Sequence, residues 1–226
     1  MKNILFAFAL LLGIAAESFS QDALKISGEV FIVAKGGESI RLGNIAVSAI
    51  PIDEFNTAIE PAKNEARSYL AKIVPELAKA KADIERKQTA QKIAFDRTLK
   101  DSSGASDAEE IKASKAWEEA NAKYIQLLEM AGEATSGKFF FSKFPKPIAT
   151  TKTNSSGAYI LKIPNAGKYA IVACANRSLG ETSNESYYWA ILVDVGVDQI
   201  ELSLTNDNLS TSENTDSLLK TSTLKL

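Results

Sequence analysis

The sequence predicts a mainly β protein, a β-sandwich, that is interrupted by a long antiparallel helical hairpin. About seven short segments rich in β-branched and aromatic residues alternate with turn signals, as in a β-sandwich. The region 53–136 between them consists of strong helix formers, with apolar residues three or four positions apart. A helix-breaking stretch around Ser102 and Ser103 divides this region into two helices.

The N-terminus has the pattern of a cleavable signal peptide. Lys2 supplies a positive charge, 4–16 is an apolar run, and small residues follow at Ser18 and Ser20. We therefore expect a signal peptide over 1–20 and an exported mature chain, in the bacterial periplasm or outside the cell. The apolar run is shorter than the roughly 20 residues of a membrane span, and no lipid-bearing cysteine follows it. An uncleaved N-terminal anchor is the alternative.

Composition restricts the chemistry more than it defines it. The 226 residues include 26 basic and 28 acidic ones, so no basic surface for nucleic acid is expected. Cys174 is the sole cysteine, which rules out an intrachain disulfide and favours a bacterial envelope protein. The lack of histidine excludes Ser-His-Asp and Cys-His catalysis and the usual zinc, copper and iron sites. We expect no enzyme activity, no cofactor, and no catalytic or metal-binding residue.

The two β regions are expected to cover 21–52 and 137–206. A tight turn follows one strand at Asn154, and Gly157 is expected to take the positive φ that this turn requires. The remaining residues, 207–226, are rich in Ser, Thr and Asn and are expected to form a polar C-terminal tail. Strand-like segments bounded by turn residues occur at 24–33, 40–42, 45–50, 139–144, 148–153, 158–163, 168–176, 186–195 and 199–204.

The first helix is expected to extend from Asp53 to Leu99. Asp53 is its expected cap, and Pro61 is expected in its first turn, where a missing N–H costs nothing. Pro75 predicts a kink, or two abutting helices, near Val74. One apolar stripe follows the helical repeat and contains Ile59, Ala62, Ala66, Tyr69, Ile73, Leu77, Ala80 and Ile84.

The second helix has a matching apolar stripe. Ser106 and Glu109 have the spacing of a capping box, which predicts where this helix begins. Folding the chain back brings the stripes together in a coiled-coil arm of about 33 residues, roughly 50 Å long. Lys87 and Gln91 fall on stripe positions, so a weaker seam is expected towards the tip. The second stripe contains Ala113, Trp117, Ala120, Tyr124, Leu127, Ala131 and Ala134.

The strand sequences carry a family resemblance. One part is 27–30 (Ser-Gly-Glu-Val), which leads through a glycine pair to 45–49 (Ile-Ala-Val-Ser-Ala). The other is 151–164, a threonine-rich strand, a turn ending in glycine, an aliphatic strand and a proline, followed by 167–169 (Gly-Lys-Tyr). Together these stretches resemble carboxypeptidase regulatory-like (transthyretin-like) domains.

The resemblance implies a seven-stranded Greek-key sandwich that serves as a binding, spacer or stability module and not as a catalyst. The hairpin 53–136 departs from the simple domain and is an insertion after the second strand of that pattern. Members of this fold that hydrolyse hydroxyisourate rely on histidines. Since this chain has none, that activity is not expected here.

Several residues are candidates for a binding or catalytic site, but the sequence favours structural roles for them. Cys174 lies in an apolar strand and is expected to be buried and inert. Tyr187, Tyr188 and Trp189 could stack on a sugar, but the alternation of the strand favours core packing. Trp117 belongs to the hairpin stripe and is also expected to be structural.

Two further groups are treated in the same way. The first, expected to bridge the hairpin base and the sandwich, consists of Phe139, Phe140, Phe141 and Phe144. The second offers oxygen ligands without the spacing of a calcium loop, and no metal is expected at Asp194, Asp198, Glu201 and Asp207. The ligand-binding residues therefore stay unknown from the sequence.

The resulting functional hypothesis is a non-catalytic interaction or scaffold protein of the bacterial envelope. The sandwich would form a base, and the arm would contact an unknown envelope protein or a second copy of the chain. The alternative is a periplasmic module that binds carbohydrate or peptide. A hydrolase based on carboxylates is the third hypothesis, because the spacing of such carboxylates cannot be judged from sequence.

Overall fold

A computed structural model describes residues 24–100, 104–180, 184–196 and 199–210. The predicted signal peptide, the turn at Ser102 and Ser103, Asp198 and the tail from 211 onward lie outside these ranges. Helices take up 48% and strands 31% of the described residues, so the fold is mixed α and β. It is therefore more helical than the expected mainly β class.

The described elements follow the order strands, helices, strands. The helices are α1 (Ile52–Thr98), α2 (Gly104–Ala134) and the short α3 (Gly137–Phe141), with a 3-10 turn at Asn206–Asn208. The strands before the helices are β1 (Leu24–Glu29), β2 (Phe31–Val33), β3 (Ser39–Arg41) and β4 (Ala46–Pro51). The strands after them are β5 (Ala149–Lys152), β6 (Ala158–Ile163), β7 (Gly167–Ser178), β8 (Asn184–Val195) and β9 (Ile200–Glu201).

The strands form three sheets, with the orders β6-β1-β9, β2-β3 and β5-β4-β7-β8. β7 and β8 form the longest ladder, an antiparallel pairing from Gly167 opposite Val195 to Ser178 opposite Asn184. Side chains from the three-stranded and four-stranded sheets share one apolar core, in which Ile26, Val47 and Trp189 are fully buried. The other face of the four-stranded sheet is covered by α1 and α3.

The expected strand 24–33 is divided at Val30. The Val30 N–H donates to the Gly157 carbonyl at 2.8 Å, and Val30 forms a bridge with Leu204, so the chain changes sheets here. Gly157 has a φ of +80°, as expected from the turn. Gly28 lies so close to the neighbouring chain that an added Cβ would stand 1.9 Å from the Leu202 carbonyl oxygen.

The expected cap at Asp53, the expected place of Pro61 in the first turn and the alternative of two abutting helices at Pro75 were wrong, whereas the kink near Val74 stays a prediction. The helix begins at Ile52 without a side-chain cap, so Asp53 lies in the first turn, where its charge favours the helix dipole. Pro61 and Pro75 both lie inside one continuous helix. Both prolines are exposed, and carbonyls on the solvent side of a helix can tilt towards water, which accommodates the missing bonds.

α2 is described from Gly104 onward, so Ser106, the expected cap, already lies inside the helix. Ser106 is buried, and its carbonyl accepts a bond from the Thr98 hydroxyl at 3.2 Å. The two helices run in opposite directions. The Gln91 amide donates to the Ser114 hydroxyl at 3.1 Å, and Leu127 packs on the buried cluster formed by Leu70, Ile73, Leu77 and Ala131.

The phenylalanine run forms a helix instead of the expected strand. The Ser136 hydroxyl accepts a bond from the Phe139 N–H at 3.1 Å and so caps α3. This cap supplies a helical start that outweighs the β propensity of consecutive phenylalanines. Phe140 is buried against the sheet, because one turn of helix directs it there.

The expected tail is attached to the sheets at its start. The Thr205 carbonyl accepts a bond from the Trp189 indole N–H at 2.9 Å. The Asn206 side chain accepts from the Val33 N–H at 2.6 Å, and the Ser210 N–H donates to the Tyr188 carbonyl at 2.7 Å. The described residues up to Ser210 are therefore hydrogen-bonded to the sheets.

Candidate functional site

The first turns of α1 are fixed to the sheet by an apolar group that we call the base cluster. Phe55 and Phe140 form its centre, and the Phe55 and Phe144 rings lie 5.1 Å apart. Its buried members are Ile50, Phe55, Ile59, Ala62, Ala66, Phe140, Ala170, Val172 and Ala190. The four phenylalanines singled out in the sequence therefore lie between the helices and the sheet.

Beyond the base cluster the helices contact each other and no longer the sheets. Leu70, Ile73, Leu77 and Ala131 are buried in a second cluster, with Tyr124 and Leu127 packed on it. We call this cluster the middle seam. It reproduces the two apolar stripes, except that Leu70 takes the buried place expected for Tyr69.

The outer part of the helix pair is joined mainly by polar contacts, which we call the tip seam. Besides the Gln91–Ser114 bond, Arg97 and Glu109 form a salt bridge of 2.8 Å between the helices. Ala94 is buried, whereas Lys87 turns back to a salt bridge with Asp83 at 3.1 Å. The weak seam expected at Lys87 and Gln91 corresponds to these polar contacts.

Large apolar side chains are exposed at the same end of the helix pair. Phe95 is 50% exposed, Leu99 70% and Ile111 65%. We call these three residues the tip patch. Beside it lies a cavity of about 440 Å³ that is lined by Gln88, Thr89, Gln91, Lys92, Phe95 and Glu110. Three large apolar side chains are thus in contact with water at the end of the helix pair.

The tip patch was not predicted from the sequence. Phe95 and Leu99 are four residues apart on one helix face, but that face lies beside the predicted stripe. The sequence did contain a signal. Polar residues occupy the stripe at Lys87 and Gln91, and the apolar residues that follow, Phe95 and Leu99, lie beside the stripe.

Trp117 lies between the middle seam and the tip seam. Its indole nitrogen is shielded from solvent and has no hydrogen-bond partner among the described residues. A buried indole N–H usually has a hydrogen-bond acceptor, so the helix contact at Trp117 leaves a polar group unpaired among the described residues. The side chain as a whole is of intermediate burial.

The three adjacent aromatics of β8 do not form a common platform. Trp189 is 0% exposed and lies in the core, with the Tyr187 ring stacked at 6.2 Å from it. Tyr188 points to the other side of the sheet, where its ring meets Phe141 at 5.1 Å. A hydrogen bond to Glu185 holds the Tyr187 hydroxyl, and burial is the main cause of its raised pKa.

Cys174 is half-buried and not fully buried as expected. It lies on β7 directly opposite Tyr188. Burial raises the pKa of its thiol, and a hydrogen bond with Tyr188 opposes that shift. A thiol with a raised pKa is a poor nucleophile at neutral pH, so its inert character is still favoured.

The carboxylates considered as oxygen ligands lie apart in the fold. Asp194 is on β8 opposite Lys168, and Glu201 is on β9 in the other sheet. Within 24–100, 104–180, 184–196 and 199–210 no group of three or more potential ligands could hold a metal ion. Asp198 lies outside those ranges. None of the helices in the same ranges has the length and apolar content to cross a bilayer.

A smaller groove lies between α1, α2 and α3. It has a volume of about 260 Å³, and its lining includes Tyr69, Met130 and Phe139. The Lys143 ammonium contacts two of the lining residues, with a bond of 3.3 Å to Glu65 and a distance of 5.1 Å to the centre of the Phe139 ring.

The sequence matches no known protein family and no characterised protein. Among solved structures, the chain matches a protein of Pseudomonas aeruginosa that is proposed to bind carbohydrate. The two share 13% identity over 82% of this chain and 89% of the other, with a TM-score of 0.35. A similarity this low carries no assignment, so the function has to be argued from the arm itself.

Proposed function

We propose that this chain is an exported, non-catalytic interaction protein of the bacterial envelope, in which the sheets form a base and the two helices form an arm that binds a partner. The observation that carries this proposal is the tip patch. Phe95, Leu99 and Ile111 are exposed together at the end of the helices that is farthest from the sheets.

The distance between the base cluster and the tip patch supports the same proposal. The last residue of α1 in the base cluster is Ala66, whereas the helix ends at Thr98. About 30 residues of helix therefore extend past the sheets, roughly 50 Å at 1.5 Å per residue. A helix pair that served only to stabilise the sheets would not need this length.

The architecture belongs to the same proposal. We take the helix pair as a coiled-coil hairpin inserted into a seven-stranded Greek-key sandwich of the transthyretin-like kind. The structure describes nine strands, whereas the sandwich has seven. We count β1 and β2 as one strand divided at Val30, and we leave out β9, which has only two residues. The apolar core shared by two sheets supports the sandwich.

Site-specific photo-crosslinking tests the proposal in the full chain. A photoreactive amino acid would replace Phe95 in one variant and Leu192, which is 48% exposed on β8, in the control. We expect a discrete adduct in the native envelope from position 95 and none from position 192. Equal adducts from both positions, or none from position 95, would contradict a partner-binding arm tip.

A shortened arm provides a second test. Replacement of 82–123 by a short Gly-Ser linker removes the tip seam and tip patch but retains the base cluster and middle seam. We expect this variant to stay folded by circular dichroism, and to lose the partner that the full chain retains in co-purification. A folded variant that keeps the partner would place binding on the sheets.

A further inference from the structure

Phe95 and Ile111 lie on the same flank of the helix pair. The opposite flank is marked by the salt bridge between Arg97 and Glu109, whose side chains meet across the two helices at 2.8 Å. Phe95 is two residues from Arg97, and Ile111 is two residues from Glu109. Two residues correspond to a rotation of about 200° around a helix, so each apolar side chain lies on the flank opposite the salt bridge. The same salt bridge sets their level along the arm, so Phe95 and Ile111 stand side by side.

The charges on this flank are divided between the two helices. Lys92 is three residues before Phe95 on α1, and Glu110 is adjacent to Ile111 on α2. Both charged side chains line the 440 Å³ cavity beside the tip patch, together with Phe95. The α1 half of the flank therefore offers an aromatic ring and a positive charge, and the α2 half an aliphatic side chain and a negative charge.

This division makes the flank complementary to itself. A two-fold axis parallel to the arm would place α1 of one copy over α2 of another, with the arms parallel. Phe95 of each copy would then face Ile111 of the other, and Lys92 would face Glu110, so that each contact occurs twice.

We propose that the partner bound by the arm tip is a second copy of this chain, which associates through the flank that carries Phe95, Leu99 and Ile111. This inference rests on the proposed function, because it names the partner of the same arm tip. The patch has three large apolar side chains per copy, which is small for a permanent interface. The dimer is therefore weak, with a dissociation constant on the order of micromolar.

Sedimentation velocity measures the association with the full chain. Over about 1 to 200 µM protein, we expect the unmodified chain to shift from monomer to dimer, since this range spans a micromolar dissociation constant. Phe95→Glu should stay monomeric throughout, because it would bury a charge against Ile111 of the other copy. Leu192→Glu, at a residue of matched exposure on β8, should dimerise as the unmodified chain does.

Charge reversal separates contacts between copies from contacts within one copy. Lys92→Glu alone would place two negative charges opposite each other, and Glu110→Lys alone two positive ones. Each variant should weaken the dimer by about tenfold. A mixture of the two variants should restore it, because each chain then meets the opposite charge on the other. No rearrangement within a single chain predicts recovery on mixing.

The outcomes distinguish this inference from the proposed function. A chain that stays monomeric at every concentration, while position 95 still cross-links to a different protein, overturns self-association and leaves the binding arm intact. A dimer that survives Phe95→Glu also overturns it. Concentration-dependent dimerisation that is lost in Phe95→Glu and recovered in the charge mixture supports the two-fold tip contact.

Discussion

The base cluster and the tip patch each contain a phenylalanine of α1, but the first is buried and the second is exposed. At the base, Phe55 is fully buried between α1 and the sheet. At the tip, Phe95 on the same helix is half exposed beside a cavity. Burial of aromatic area stabilises the fold, whereas half of the Phe95 area stays in contact with water. The comparison separates the part of α1 that maintains the fold from the part that we propose binds a partner.

The largest expected effect is the difference between two phenylalanine truncations. Phe55→Ala should lower the free energy of unfolding by about 3–5 kcal/mol, because it leaves a cavity in the base cluster. Phe95→Ala should change it by less than about 0.5 kcal/mol, since the side chain packs little in the monomer. Urea unfolding at low protein concentration measures both. Similar losses in the two variants would show that the tip is packed as firmly as the base.

The next expected effect concerns the connection between α2 and the base. Gly137 opens α3, and a Cβ at this position would lie 2.3 Å from the Tyr188 ring. Gly137→Ala should therefore cost about 1–3 kcal/mol in stability, because the ring or the helix must move. Gly132→Ala is the matched control, since an added Cβ there meets nothing within 4 Å. If Gly137→Ala were as stable as this control, the arm would not be fixed to the sheet by α3.

A smaller and local effect is expected in the tip seam. Gln91→Ala removes the bond to Ser114 and should weaken the contact between the helices by about 0.5–1.5 kcal/mol. Hydrogen exchange should rise in peptides covering the outer helices, whereas peptides covering the base cluster should keep their protection. Gln88→Ala, on the rim of the same cavity, is the control. Faster exchange at the base in Gln91→Ala would mean that the tip and the base open together.

The base was easier to predict from sequence than the tip. Ile59, Ala66 and Leu77 are buried as the stripe predicts, because a repeat of three and four positions is enough to define the packed face of a helix. Leu70 is buried instead of Tyr69, a difference of one position that periodicity does not resolve.

Features that depend on tertiary packing were not predictable in the same way. α1 continues through Pro75 because packing on one face supports a helix that its local sequence disfavours. The phenylalanines after Gly137 form a helix because Ser136 caps it and the sheet receives Phe140. The tip patch was not predicted, because the exposure of Phe95 depends on which face of α1 is covered by α2.

The smallest expected effect is a pH dependence at the boundary between the middle seam and the tip seam. Hydrogen bonds from Lys87, and then Arg86, lower the pKa of the Asp83 carboxyl below its ordinary value of 3.8. Because the pKa is lower in the folded chain, the contribution is present above the unfolded value and is lost as pH falls through the folded one. Amide exchange around Asp83 should therefore rise below about pH 4, once the different intrinsic exchange rates are corrected.

The substitution Asp83→Asn should remove that pH dependence, and Asp96→Asn, at an exposed carboxylate in the next turns of the same helix, should leave it in place. Peptides from the base cluster should show no matching change in this range, because its contacts are apolar. The effect is small, since Asp83, Lys87 and Arg86 are in contact with water and their pairing is screened. If acid loosened the base as much as the tip, the two parts of α1 would act as one cooperative unit, and the separation of a stabilising base from a binding tip would fail.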